Sequence, residues 1–220
     1  MKPEKALENP IVFIVDDDVS VRESLEALVD WAGWNAETFG SAQDFLARPR
    51  ISAPSCLILD VSLPGLSGLE LQELIADERI DMPIIFITGH GDIPMSVQAM
   101  KAGAAEFLTK PIDDETLLTA IRLGLERSRT ALANETEIKS LQARYASLTS
   151  REREVMLLVI SGLLNKQVGA KLGISEITVK AHRGRMMEKM RAGSLAELVR
   201  MSVTLRLTPT RNPWQFSSGS

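Results

Sequence analysis

Cys56-Leu57-Ile58-Leu59-Asp60 is a short apolar run that ends on a carboxylate. Turn-forming residues follow at once: Ser62, Pro64, Gly65, Ser67 and Gly68. A run of this length bounded by turn signals reads as a buried strand of a parallel sheet. Asp60 then stands at the carboxyl end of a central strand, where open α/β sheets place their chemistry. On its own such an aspartate would do no more than start a loop. Three further strand ends that lead into polar residues give it company.

Ile11 to Val15 is a second buried-type strand and runs directly into Asp16, Asp17 and Asp18. Ser20 then opens a helix with Val21, Leu25, Leu28, Val29 and Ala32 at helical spacing, ended by Gly33. Trp34 to Phe39 is a weaker strand, and Ser41 opens a short helix through Leu46. After the Asp60 turn, the spacing predicts a helix over 68–78 with Leu69, Leu71, Leu74 and Ile75 inward. Residues 83–87 form a strand ending at Thr88, and Pro94 starts the next helix. Ala105 to Leu108 is the fifth strand, with Lys110 and Pro111 after it. The fifth helix runs from about Asp114 through Leu141. Five alternations of strand and helix predict a parallel, flavodoxin-like sheet covered on both faces.

The second half of the fifth helix is rich in Glu, Arg, Lys and Gln and reads as an exposed helical linker, with a flexible linker as the alternative. Thr149 and Glu152 have capping-box spacing and open a further helix. A short helix over 165–172, a turn at Gly173 and a longer helix capped by Ser175 make a helix-turn-helix pattern. Another helix follows from Ser194. The expected division is 1–125, an α/β domain; 126–145, linker; 146–207, an all-α four-helix domain; and 208–220, a frayed tail.

Charge divides along the same line. Residues 11–125 hold 7 Lys/Arg against 19 Asp/Glu, a net −12, whereas residues 146–206 hold 11 against 5, a net +6. An acidic half joined to a basic half implies different partners, with nucleic acid the candidate for the basic one. The longest apolar stretch, around 155–164, is too short to span a bilayer. The first ten residues show no signal-peptide pattern. A single cysteine, Cys56, rules out an internal disulfide and fits a reducing cytosol, so a cytoplasmic protein without a membrane role is expected.

Asp16, Asp17, Asp60, Thr88 and Lys110 end a strand or follow one within two residues, so a parallel sheet brings them to one rim. Three carboxylates there repel one another unless a cation sits between them. Magnesium favours a few carboxylates with water and phosphate. A lysine to balance an incoming anion and a hydroxyl to hydrogen-bond it complete a set suited to receiving a phosphoryl group on a carboxylate.

The stretches Val15-Asp16-Asp17-Asp18, Leu59-Asp60, Pro64-Gly65, Ser67-Gly68, 87–92 and 107–111 resemble bacterial response-regulator receiver domains, and Thr88-Gly89-His90-Gly91-Asp92 is nearest to the FixJ subgroup. The resemblance implies that Asp60 accepts phosphate from the phosphohistidine of a sensor histidine kinase. It implies magnesium held by Asp17, Asp60 and the Ser62 backbone carbonyl, with Asp16 helping through water. Lys110 would pair with Asp60 and later with the phosphoryl oxygens. Thr88 and Phe107 match a switch pair, and Lys110-Pro111 is expected to be cis. Ser62 and His90 would flank the phosphoryl group. Asp18 is expected to be a solvated helix-start residue.

The helix from Ser175 to Met190 places Ile177, Met186, Met187 and Met190 inward and Lys180, Arg183, Arg185 and Lys189 outward. Such a helix can enter a major groove; a merely solvated face is the alternative. The stretches 148–155, 162–168 and 178–182 resemble the four-helix output domain of the NarL/LuxR/FixJ class. That implies Lys180, Ala181 and Gly184 facing the groove of double-stranded DNA, with Thr178, His182, Arg183 and Arg185 as phosphate contacts. Gly184 departs from the longer polar residue common in that class.

The expected whole is a non-enzymatic two-component response regulator. Phosphorylation would promote a homodimer that binds a two-fold DNA site, with RNA polymerase a partner left open. A phosphatase of the haloacid-dehalogenase type is the rival reading. It is opposed by Ser62, which stands where an Asp-x-Asp pattern needs its second carboxylate. A binding module that works only through protein partners is the other.

Overall fold

The computed structural model describes residues 9–76, 79–89 and 93–207. The expected tail, the first eight residues and His90 lie outside them. Residues 1–134 and 135–220 form two compact units.

The first unit alternates β1 (Ile11–Val15), α1 (Val19–Trp31), β2 (Asn35–Phe39), α2 (Ala42–Ala47), β3 (Ser55–Asp60), α3 (Gly68–Ile75), β4 (Ile84–Thr88), α4 (Ile93–Lys101), β5 (Glu106–Thr109) and α5 (Asp114–Ala146). The five strands are parallel in the order β2-β1-β3-β4-β5. The chain reverses its direction of winding beside β1, which opens a crevice at the carboxyl ends of β1 and β3.

Strand periodicity sorts the core into two layers. Phe13, Val15, Leu57, Leu59 and Phe86 face one way, against Phe45 of α2, Leu71 and Ile75 of α3 and Ala99 of α4. Val12, Ile14, Cys56, Ile58, Ile85 and Ile87 face the other way, against Leu25 and Val29 of α1 and Leu117, Ile121 and Leu125 of α5. All six residues of β3 are buried, as a central strand covered on both faces requires. Burial pushes the Cys56 thiol up to about 12, so it is a packing group.

Three local expectations are corrected. The cap of α1 is Asp18, whose carboxylate accepts from the Ser20 and Val21 N–H groups; Ser20 lies inside the helix. In α3, Leu74 is exposed and Gln72 takes the inward position, donating through Nε2 to the Ala99 carbonyl at 3.2 Å. The fifth helix continues to Ala146, and its middle is not uniformly exposed. Ser128 is fully buried, and its hydroxyl accepts from the Ser55 N–H at 2.9 Å, closing the start of β3. That bond gives a partner to a backbone donor with no access to water.

In the second unit, Leu141 and Tyr145 near the end of α5 pack with α6 (Ser150–Ile160), α7 (Asn165–Leu172), α8 (Glu176–Met190) and α9 (Leu195–Thr204). The capping box at Thr149 and Glu152 is formed. The buried Glu152 carboxylate also takes a 2.7 Å ion pair from Lys189 of α8, tying α6 to α8. Burial pushes Glu152 upward, but the Lys189 ammonium and the Thr149 N–H outweigh it and leave its pKa below the ordinary 4.5. The turn between α7 and α8 depends on two glycines. Gly173 caps α7 in the left-handed region at φ 67°. A Cβ on Gly169 would lie 2.7 Å from the Ile174 carbonyl oxygen.

Because folding lowers the Glu152 pKa, the stability from this ion pair is complete above about pH 4.5 and is lost as pH falls through the lower folded value. Glu152→Gln removes that slope and destabilises the second unit at pH 7 by about 1–2 kcal/mol; hydrogen exchange of α6 and α8 amides in the full chain, read at pH 7 and pH 4, checks both. Gly169→Ala forces the α7–α8 turn apart at a cost of about 2 kcal/mol. Faster exchange in α7 and α8, with β3 amides unchanged, is the expected result.

Candidate functional site

Each strand end delivers one part of the acidic cup. Asp16 follows β1 and is fully buried, Asp60 ends β3 and is nearly so, and Asp17 is exposed. One carboxylate oxygen from each of the three lies within 4.8 Å of the others. Backbone bonds across the strand ends hold the rim: Val61 N–H donates to the Ile87 carbonyl at 3.2 Å and Lys110 N–H to the Thr88 carbonyl at 2.8 Å.

Lys110 closes the cup from β5. Its Nζ donates to Asp16 Oδ2 at 2.8 Å and to Asp60 Oδ2 at 3.1 Å. The expected pairing was with Asp60, and Asp16 is a second, shorter partner. The remaining oxygens are also held, Asp16 Oδ1 by the Asp18 N–H at 2.9 Å and Asp60 Oδ1 by the Ser62 N–H at 3.1 Å. Burial raises the Asp16 carboxyl above its ordinary value, against the opposing pull of Lys110 and the Asp18 N–H. Burial pulls the Lys110 ammonium down, but its bonds to Asp16 and Asp60 outweigh this and raise it, so it remains charged at neutral pH. Three hard oxygen ligands at this separation suit a small divalent cation.

The surroundings fix Asp60 through its backbone. A Cβ on Gly68 would collide with the Asp60 carbonyl oxygen, so the start of α3 sits directly against the end of β3. The Gly68 N–H donates to the Val61 carbonyl at 3.0 Å. Thr88 is fully buried at the end of β4. Phe107 is half-buried on β5, its ring 6.1 Å from that of Phe86. Ser62 is exposed beside Asp60, and Lys110-Pro111 is cis. Arg22 was not anticipated: its Nη1 donates to the Asp16 carbonyl at 2.6 Å and steadies the β1 end from α1. Its spacing six residues past Asp16 is the only signal the sequence carried.

On α8, Lys180, Ala181, Gly184 and Arg185 are exposed. Lys180 forms an ion pair with Glu176 one turn earlier at 3.2 Å. Thr178, His182 and Arg183 are half-buried. The Thr178 hydroxyl bonds to that of Ser175 at 2.8 Å, and Arg183 Nη1 donates to Asn165 Oδ1 at 3.0 Å. Two orientations differ from the sequence reading. Lys189 does not project freely, because it pairs with Glu152. Ile177 does not pack inward but is 80% exposed. The inward positions are Val179, Met186 and Met190. Counting back seven residues from Met186 finds Val179 and turns Ile177 to the opposite side.

The chain matches two family signatures: the response regulator receiver domain over residues 12–122, and the bacterial regulatory proteins of the luxR family over residues 146–202. It is similar to nodulation protein W of Bradyrhizobium diazoefficiens, 51% identical over 198 residues that cover 90% of this chain and 87% of that one. Among solved structures it is similar to the response regulator StyR, with TM-score 0.78 and 49% identity over 89% of this chain and 98% of that one. It is also similar to full-length FixJ from B. japonicum, with TM-score 0.54 and 39% identity over 92% and 100% of the two chains. An acidic rim closed by a lysine and a basic helix-turn-helix thus occur together in a chain that belongs to the two-component response regulators of the FixJ/NarL type, with a LuxR-type output domain, and acts as a transcription regulator.

Proposed function

We propose that Asp60 is the phosphoacceptor and that its phosphorylation by a sensor histidine kinase controls DNA binding by α8. The observation that carries this reading is the Lys110 ammonium held between Asp16 and Asp60 beside a third carboxylate, Asp17. In the transfer, a carboxylate oxygen of Asp60 bonds to phosphorus as the P–N bond to the kinase histidine breaks, and the bonding pair returns to the imidazole nitrogen. Lys110 is placed to follow the new phosphoryl oxygens, and the Thr88 hydroxyl to bond one of them while Phe107 turns inward behind it. Asp17, Asp60 and the Ser62 carbonyl would hold magnesium, with Asp16 through water; the ion would supply positive charge against the phosphoryl oxygens. The domain roles follow the sequence division: receiver to 125, linker 126–145, output 146–207.

The chain is then a switch and not an enzyme, since Ser62 offers no second carboxylate in an Asp-x-Asp pattern. Dimerisation through α4, β5 and α5 is supported by Ile93, Val97 and Met100, apolar residues exposed on α4. Two copies would bring two α8 helices to a two-fold site on double-stranded DNA about one turn apart. Lys180, Ala181 and Gly184 would face base edges, and Thr178, His182, Arg183 and Arg185 would hold phosphates. Contact with RNA polymerase belongs to the same reading. Among the described residues no helix is long and apolar enough to cross a membrane, and a cytoplasmic setting is proposed with the rest.

With acetyl phosphate and magnesium, intact-mass measurement is expected to show one phosphoryl group on the unaltered chain and none on Asp60→Asn, and chelation of magnesium returns labelling to background. Labelled Asp60→Asn would refute the assignment. On a duplex selected from random sequence by the full chain, Lys180→Ala weakens binding about ten-fold. Arg185→Ala lowers the slope of log affinity against log salt by about one. Unchanged affinity and slope in both variants would remove α8 from the interface.

A further inference from the structure

The outer face of α8 breaks two local rules within two turns. Ile177 exposes 80% of its surface to water in the first turn of α8, on the side away from the helix's buried residues. Gly184, seven residues on, lies inside the helix, where glycine is weaker than alanine. Among the described residues nothing requires that glycine: a Cβ at 184 would meet no atom within 4 Å, whereas at Gly169 it would lie 2.7 Å from a carbonyl oxygen. Ile177, Ala181 and Gly184 stand at i, i+4 and i+7, on one face and opposite the buried Val179, Met186 and Met190. Local rules broken together without an internal cause point to a partner outside the chain.

We infer that Ile177 and Ala181 form an apolar strip that reads thymine 5-methyl groups in the major groove, with Gly184 letting the helix approach the base-pair edges. The proposal rests on α8 being the DNA-facing helix and adds how that helix discriminates. The charge of the surroundings selects the occupant. Lys180 and Arg185 flank the strip, and residues 146–206 carry a net +6, which suits a polyanion. Of the groups that major-groove base edges display, the thymine methyl is the one an isoleucine or alanine side chain can recognise. Lys180 stands beside the strip as its polar reader. Glu188, one turn beyond Gly184 on this face, would repel phosphates, so the face fits DNA through its first two turns.

The test uses the full chain activated with beryllofluoride and magnesium, on duplexes it selects from random sequence. Each thymine of the selected site is replaced in turn by uracil, which differs only in lacking the methyl group, and affinity is read at fixed salt. Replacement at one thymine in each half-site is expected to weaken binding about three- to five-fold, the effect of losing one methyl contact. Ile177→Ser binds the thymine and uracil duplexes equally with an unchanged salt slope, and Ile177→Val keeps the discrimination. If Ile177→Ser still distinguishes thymine from uracil, or if no thymine shows the effect, the inference is overturned while DNA binding by α8 stands. If no duplex is selected, or if Lys180→Ala and Arg185→Ala leave affinity and salt slope unchanged, the DNA reading of α8 falls and this proposal with it. If Ile177→Ser instead alters self-association without DNA and leaves the thymine–uracil difference intact, the strip is an interface between copies and the inference is overturned.

Discussion

Three carboxylates share one end of a parallel sheet, and they can do so because Lys110 lies among them. Its ammonium bonds Asp16 and Asp60 at 2.8 and 3.1 Å. Removing a charge from water is costly, and a buried carboxylate such as Asp16 persists only when it is paired. Lys110 therefore links β1, β3 and β5 electrostatically across a sheet whose backbone bonds join only neighbouring strands. The same cation stands ready for any anion that reaches Asp60. Structural support and the proposed chemistry thus use one charge.

Glycine marks the places where one backbone must lie against another. At Gly68 the start of α3 lies against the Asp60 carbonyl, which leaves the end of β3 no slack. At Gly169 the α7–α8 turn closes on α7 itself. Both positions are close approaches that any side chain would block. Gly184 is of another kind, open to solvent on the face of a helix. The contrast separates glycines the fold requires from one it merely tolerates, and the tolerated one lies on the face proposed to meet DNA.

The output unit treats buried charge as the receiver does. Glu152 serves at once as the reciprocal partner in a capping box and as the acceptor of the Lys189 ion pair. A residue that reads as a helix-start signal is therefore also the tie between two helices. Lys189 is withdrawn from the basic surface as a result, and Arg183 is half withdrawn by Asn165. The outward positive charge of α8 is narrower than its composition suggests: Arg185 is exposed, and Lys180 is exposed but shares its charge with Glu176. The chain's likeness to StyR and FixJ over nearly its whole length places both units in one regulator.

Much of this was legible in the residues themselves. Apolar runs ending at Val15, Asp60, Thr88 and Leu108 set the strands, because a strand buried on both faces needs an unbroken apolar sequence. Parallel strands carry their ends to one rim, so Asp16, Asp17, Asp60 and Lys110 could be gathered without coordinates. What the tertiary structure decided was pairing and facing. The sequence could not choose Asp16 as the second partner of Lys110, 94 residues away, nor send Ser128 to the Ser55 amide. Residue type alone did not separate Ile177 from Val179, since both are β-branched and apolar; only the seven-residue spacing from Met186 favoured Val179. Packing against α6 and α7 gave the place to Val179 and turned Ile177 to water, because a helix has one buried face and its neighbours select it.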